Sequence, residues 1–364
     1  MNFDLDAIFI EDRCRGSALA ARVIEKIPPH VPVCYVADGR EAAMPQTGAR
    51  DPFGAGKRRM VVMNRKSPFL MACPAGSAEF ACCGYLVLTL ASNCPMDCSY
   101  CFLQEYLADN PGFQVYANYA DAMDELDRLA KRAPGRQLRV GTGELADSLA
   151  FDRITGISRE LVEFFAARDG LTLELKTKTA EIDNLLEVDP KGHTIVSWTL
   201  SPEAVFRSSE HRTAPPSARI ESARRVLDAG YRAGFHLDPI IAYPGAGHDY
   251  GELLDELFDS VAPDRIAFFS MGTMRMTSKL RSAARERFPA DPMLLGEEVL
   301  SPDGRFRAFA PMRIALYREI ADRIKAGAPK APMYLCMEQP GVHRRVLGAE
   351  PPPVAALGDR LARG

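Results

Sequence analysis

The stretch Leu88-Thr89-Leu90-Ala91-Ser92-Asn93-Cys94-Pro95-Met96-Asp97-Cys98-Ser99-Tyr100-Cys101-Phe102-Leu103-Gln104 runs from the end of an apolar segment into three cysteines spaced C-x3-C-x2-C. Three thiolates on so short a loop can surround a compact soft-metal centre. A cubane [4Fe-4S] cluster held by only three cysteines keeps one iron open, and there a small molecule can bind and take part in electron transfer. Other chemistries fit the same residues. A structural zinc ion would need a fourth ligand, for which His30, Cys73, Cys82 and Cys83 are available. A thioredoxin-like pair would need Cys98 and Cys101 alone.

Outward from this loop, β-branched apolar runs alternate with helical patterns. Strands are expected at 84–90, 138–141, 171–176, 194–200, 234–241 and 265–270, with helices at 119–132, 156–168, 180–186, 217–229 and 250–261. Six β/α repeats in series imply a parallel sheet with both faces covered, either a partial barrel or a doubly wound sheet. Residues 1–80 read as a small α/β segment (strand 7–10, helix 17–27, strand 33–36) followed by a Gly/Pro-rich connection over 39–57. The barrel candidate occupies 81–270. Residues 271–364 form an irregular, basic extension with a helix at 311–325 and a short strand at 333–336.

The 364 residues are 47% apolar, 26% charged and 8% aromatic, which excludes fibrous and disordered classes. A formal net charge of -3 argues against binding nucleic acid through bulk positive charge, yet the balance is uneven. Residues 265–364 carry 17 basic against 10 acidic groups, leaving 28 against 38 for the rest. No run of residues is long and apolar enough for a membrane helix, and the start is acidic where a signal peptide would be basic, so a cytoplasmic location is expected. Nine cysteines without an export signal favour metal or redox chemistry over a disulfide framework.

In parallel α/β sheets functional groups gather at the carboxyl ends of strands. The second strand ends in Gly141-Thr142-Gly143-Glu144, where glycines let a ligand approach the backbone and a carboxylate can accept from an ammonium group, although glycine-rich turns are common after strands. Lys176 and Lys178 close the third strand and Thr199 and Ser201 the fourth. His236 and Asp238 share one face of the fifth, where a lone histidine is more often a satisfied core residue than a catalyst.

The cysteine spacing, with aromatic Tyr100 directly before the last cysteine of a loop that follows strand one, resembles the radical S-adenosylmethionine superfamily. Across residues 83 to about 345 the chain further resembles the spore photoproduct lyase family. The resemblance rests on residues 92–104, Asp147 with Phe151-Asp152-Arg153-Ile154-Thr155, the run 175–186, and Ala229-Gly230-Tyr231-Arg232-Ala233-Gly234. It implies a partial (β/α)6 barrel and a [4Fe-4S] cluster on Cys94, Cys98 and Cys101. It implies S-adenosylmethionine bound by Tyr100, Gly143, Glu144, Lys178, Thr199 and Asp238, and a reductant such as flavodoxin or ferredoxin. The implied chemistry is a 5'-deoxyadenosyl radical that removes the C6 hydrogen of a methylene-bridged thymine lesion in DNA. A cysteine then returns a hydrogen atom to the thymine radical.

Two departures bear on that last step. The family's hydrogen-donating cysteine matches Glu144, and no cysteine lies between Cys101 and Cys336; the second of two relay tyrosines is Phe102, while Tyr100 is kept. Cys336, at the end of a late strand, is the candidate replacement donor. Nucleic-acid contacts are expected from Arg305, Arg307, Arg344 and Arg345, because phosphate recognition uses guanidinium groups and the resemblance places DNA on this region. A solvated basic surface is the bland reading of the same charges. Two other functions fit the sequence: radical modification of a peptide or metabolite, and a zinc-bearing nucleic-acid-binding protein without catalysis.

Overall fold

Strands β1 (Leu86–Leu88), β2 (Leu138–Gly141), β3 (Leu171–Thr177), β4 (Thr194–Thr199), β5 (Arg232–Ile240) and β6 (Ile266–Thr273) lie side by side in chain order, each parallel to the next. The computed structural model of the chain describes residues 4–66, 68–73, 80 and 82–363, so Met1 to Phe3 of the acidic start lie outside the described residues. Strand β7 (Met333–Leu335) adds a further parallel partner to β6, and Leu70–Ala72 pairs antiparallel with β1 at the other edge. A doubly wound sheet reverses its strand order at a switch point; this sheet does not, and its two edge strands do not pair, so it is an open, curled partial barrel.

All six residues of β4 and six of the seven of β3 are buried, as expected of strands covered on both faces. The covering helices show why they form. Ala246–Ser260 buries Tyr250, Leu253, Leu254 and Leu257, an i, i+3, i+4, i+7 stripe, and Pro216–Asp228 starts with a proline where no N–H is needed. The helix expected at 180–186 is instead a series of turns. Asn184 there donates its side-chain amide to the Asp152 carbonyl and carboxylate, 2.9 and 2.8 Å, tying the segment to the neighbouring turn.

The N-terminal segment forms a second sheet in the order Val33–Val36, Ala7–Glu11, Arg59–Met63, Phe113–Tyr116, Ala91–Ser92, the last strand antiparallel. Its final two strands come from beyond residue 80, and they flank the cysteine loop on both sides. At the other end of the molecule, Val354–Arg363 closes the bottom of the barrel: Asp359 accepts from Gln137 N at 2.9 Å, and the carbonyl of Ala362 accepts from Thr172 at 3.0 Å. This part of the basic extension therefore plugs the end opposite the loops, whereas Met274, Arg275, Lys279, Arg305 and Cys336 face the interior.

Candidate active site

The cysteine loop is bracketed from outside. Asn93 takes a left-handed φ of 71°, a conformation asparagine tolerates, and its side chain accepts from Cys94 N at 2.8 Å while donating to Pro111 O at 2.5 Å. The fully buried Lys57 ammonium donates to the Met96 carbonyl and pairs with Asp97 at 3.2 Å. Arg287 reaches the same Asp97 at 2.9 Å, Asp51 at 2.9 Å and the Gln104 side-chain oxygen at 2.7 Å. Gln104 in turn donates to the carbonyls of Ser99 and Cys101, at 2.8 and 3.1 Å. Burial alone would raise the Asp97 carboxyl, but Lys57 and Arg287 hold it below its ordinary value.

Cys94 and Cys98 are buried and Cys101 half-buried. Burial, reinforced by Asp147, pushes the Cys94 thiol up to about 12, and burial likewise lifts Cys98 well above a normal thiol. Such sulfurs become thiolates when a metal centre takes the proton's place. The donor set, three cysteine sulfurs on one braced loop, fits a [4Fe-4S] cluster that keeps one iron open.

The loop opens onto a cavity of about 770 Å³ at the carboxyl ends of the strands. It is lined by every residue the sequence assigned to the cluster or to S-adenosylmethionine: Cys94, Cys98, Cys101, Tyr100, Gly143, Glu144, Lys178, Thr199 and Asp238, together with Cys336 and Arg305. Gly143 must be glycine here, because a Cβ would lie 2.5 Å from Lys176 Cβ and 2.8 Å from its carbonyl oxygen; at Gly141 a Cβ would lie 1.9 Å from the Tyr85 hydroxyl. Glu144 pairs with Lys176 at 3.3 Å; burial would lower the Lys176 ammonium, but Glu144 and Glu174 raise it. Asp147 organises the turn beyond β2, accepting from Leu149 N, Ala150 N and Lys178 N at 2.8–2.9 Å.

Beneath the loop lies buried Glu210, whose strand pairs antiparallel with Asp97–Cys98. It accepts from Tyr100 and from Ser201 at 2.9 Å, and pairs with Arg219 at 2.5 Å and Lys178 at 3.5 Å. Burial pushes its carboxyl up, yet Arg219 and Lys178 outweigh this and leave it at about 2. A second buried carboxylate, Glu174 on β3, accepts from Ser197 at 2.7 Å and His236 at 2.8 Å and pairs with Arg139 at 3.2 Å. It too lies at about 2, because Arg139 and His236 override its burial, while burial lowers His236 itself. Arg139 also donates to Cys83 Sγ at 2.9 Å and sits over the rings of Tyr85, Phe268 and Tyr334.

Arg139, Glu174, Glu210 and Arg275 escaped the sequence reading. A signal existed for one of them: Glu174 stands two residues before Lys176 in the same strand, hence on one face. The arginine expectations divide. Arg305 lines the cavity, but Arg307 is 1% exposed, bonded to Asp303 at 2.5 Å and the Met337 carbonyl at 2.8 Å, so it does not present its guanidinium to phosphate. Arg344 pairs with Glu350 at 2.7 Å, and both it and the exposed Arg345 stand on Pro340–Leu347, apart from the cavity. Of the expected fourth zinc ligands, Cys73 and Cys83 line the cavity and His30 is exposed on the surface.

Comparison with known proteins fits this geometry. The family model described as "SPL: Spore photoproduct lyase" matches residues 5–306. A spore photoproduct lyase of Clostridium acetobutylicum is 26% identical over 269 residues, 74% of this chain and 77% of that protein. Another, from a Geobacillus species, is 28% identical over 252 residues, 68% of this chain and 70% of that one. A solved spore photoproduct lyase variant with bound AdoMet and dinucleoside spore photoproduct superposes with a TM-score of 0.82 at 20% identity, over 92% of this chain and 100% of that one, which shows the shared fold. Partial barrel, cysteine loop and relatives together define a radical S-adenosylmethionine enzyme of the lyase class. The chain belongs to the spore photoproduct lyase family.

Proposed function

We propose that the chain binds a [4Fe-4S] cluster on Cys94, Cys98 and Cys101 and acts in the cytoplasm on a pyrimidine photoproduct in DNA or a related nucleobase. The observation that carries this reading is the convergence of the braced loop with Gly143, Glu144, Lys178 and Thr199 on one cavity. The cluster, when bound and reduced by a carrier of the flavodoxin or ferredoxin class, supplies the electron that cleaves S-adenosylmethionine to methionine and a 5'-deoxyadenosyl radical. The chain's own residues bind and orient. The Gly143 backbone and the Glu144 carboxylate receive the methionine ammonium, and Lys178, steadied by Glu210, takes the carboxylate. Thr199 reaches the ribose, while Asp238, held by Arg275 at 2.9 Å, closes the far side. Tyr100 is fixed against Glu210 beside the loop. Lys279 and Arg305 offer cations to the phosphates that flank an extruded base.

Glu144 favours a second reading. A carboxylate occupies the position matched to the family's hydrogen-donating thiol, so a different substrate, a peptide or small metabolite, would use the same initiating residues. One experiment separates these readings: anaerobic iron and sulfide analysis, then incubation of the reduced protein with S-adenosylmethionine and a synthetic photoproduct oligonucleotide. We expect labile sulfide, 5'-deoxyadenosine and loss of the lesion. Formation of 5'-deoxyadenosine with the lesion intact would favour the second reading, and one zinc without sulfide would end both.

A further inference from the structure

Hydrogen abstraction leaves a carbon radical on the product, and quenching it needs a weak X–H bond inside the same cavity. At the position matched to the family's donor stands Glu144, whose carboxylate is ion-paired to Lys176 and has no hydrogen atom to give. Outside the cluster loop, three thiols line the cavity: Cys73, Cys83 and Cys336. Cys83 has its sulfur 2.9 Å from the Arg139 guanidinium, which donates to it and so engages the sulfur within the cavity wall. Cys336 differs from it. It follows β7 directly, at the carboxyl end of the strand, and its backbone N–H donates to Met271 O at 2.7 Å, so its position is fixed against β6. Arg275 donates to Asp238 at 2.9 Å and, over the longer distance of 3.9 Å, to Cys336 Sγ.

We propose that Cys336 is the hydrogen-atom donor that ends the reaction, from the strand at the opposite edge of the sheet from β1. The proposal rests on the lesion-cleaving reading above and deepens it. Burial lifts the Cys336 thiol above its ordinary value, with Asp238 acting in the same direction and Arg275 against it. In the step itself the Cys336 S–H bond breaks homolytically and a C–H bond forms on the product. The resulting thiyl radical takes one electron from the same flavodoxin- or ferredoxin-class carrier and one proton from water, restoring the thiol. The cofactor radical is not regenerated on this route, so one S-adenosylmethionine is consumed per product.

The test compares the wild-type holoenzyme with Cys336→Ala, Cys336→Ser and Cys83→Ala in D2O, reading 5'-deoxyadenosine, intact product and deuterium in the product. Wild type and Cys83→Ala are expected to give product carrying one solvent-derived deuterium, with equal amounts of 5'-deoxyadenosine and product. Both Cys336 variants are expected to keep substrate-dependent 5'-deoxyadenosine while intact product falls about tenfold or more, replaced by radical side products. Serine keeps the shape of the site but its O–H bond is too strong to donate, so it guards against a packing artefact. Unchanged, deuterated product from Cys336→Ala and Cys336→Ser would overturn the proposal. Absence of substrate-dependent 5'-deoxyadenosine in the wild type would overturn the lesion reading beneath it instead.

Discussion

Two buried carboxylates, Glu210 and Glu174, support two sides of one cavity, and they do so differently. Both are fully buried, both meet an arginine, and both are held at about 2. Glu210 gathers two cations, Arg219 and Lys178, and fixes the Tyr100 hydroxyl, so it is tied directly to the cysteine loop. Glu174 pairs with Arg139 and accepts from His236, and Arg139 is further sheltered by three aromatic rings. One site holds Lys178 and Tyr100 beside the cysteine loop; the other stiffens the wall that carries Cys83 and Tyr334.

That contrast can be broken by single substitutions. The largest effect is expected from Glu210→Gln, which leaves the fully buried Arg219 without its carboxylate and should cost about 3–5 kcal/mol in thermal or denaturant unfolding. Glu174→Gln should cost less, because Arg139 keeps its contacts with three aromatic rings and its bond to Cys83 Sγ; equal losses would refute the difference drawn between the two sites. Acid titration sharpens it. Each carboxylate lies below the ordinary 4.5 in the folded state, so its stabilisation is complete above pH 4.5 and is lost as pH falls from there toward about 2. Wild-type stability should fall across that window, and each glutamine variant should show a shallower acid limb. The smallest effect belongs to Lys57→Met, since Asp97 keeps Arg287 as a partner; we expect about 1–2 kcal/mol, together with faster loss of iron on exposure to a chelator.

Much of this was legible in the sequence. All six barrel strands were read at the right places, because apolar runs between helical patterns need no knowledge of partners; β1 alone came out clearly shorter, Leu86–Leu88 against 84–90. The cysteine loop was legible because its spacing is local. What stayed hidden depends on the third dimension. A charge inside a strand, such as Arg139, reads as a surface group until its carboxylate, Glu174, is brought across from the neighbouring strand. Arg307 misled for the converse reason, since a basic stretch gives no hint that Asp303 and the Met337 carbonyl enclose one of its members. The helix at 180–186 failed where a side chain, Asn184, took up a bond to Asp152 that no local pattern announces.

The central claim is that this cavity starts radical chemistry on a pyrimidine lesion, and label transfer tests it most directly. A photoproduct oligonucleotide carrying deuterium at the abstracted C6 position is incubated with the reduced, cluster-loaded protein and S-adenosylmethionine. Deuterium in the recovered 5'-deoxyadenosine is the predicted result; 5'-deoxyadenosine free of deuterium, with the lesion unchanged, would contradict it.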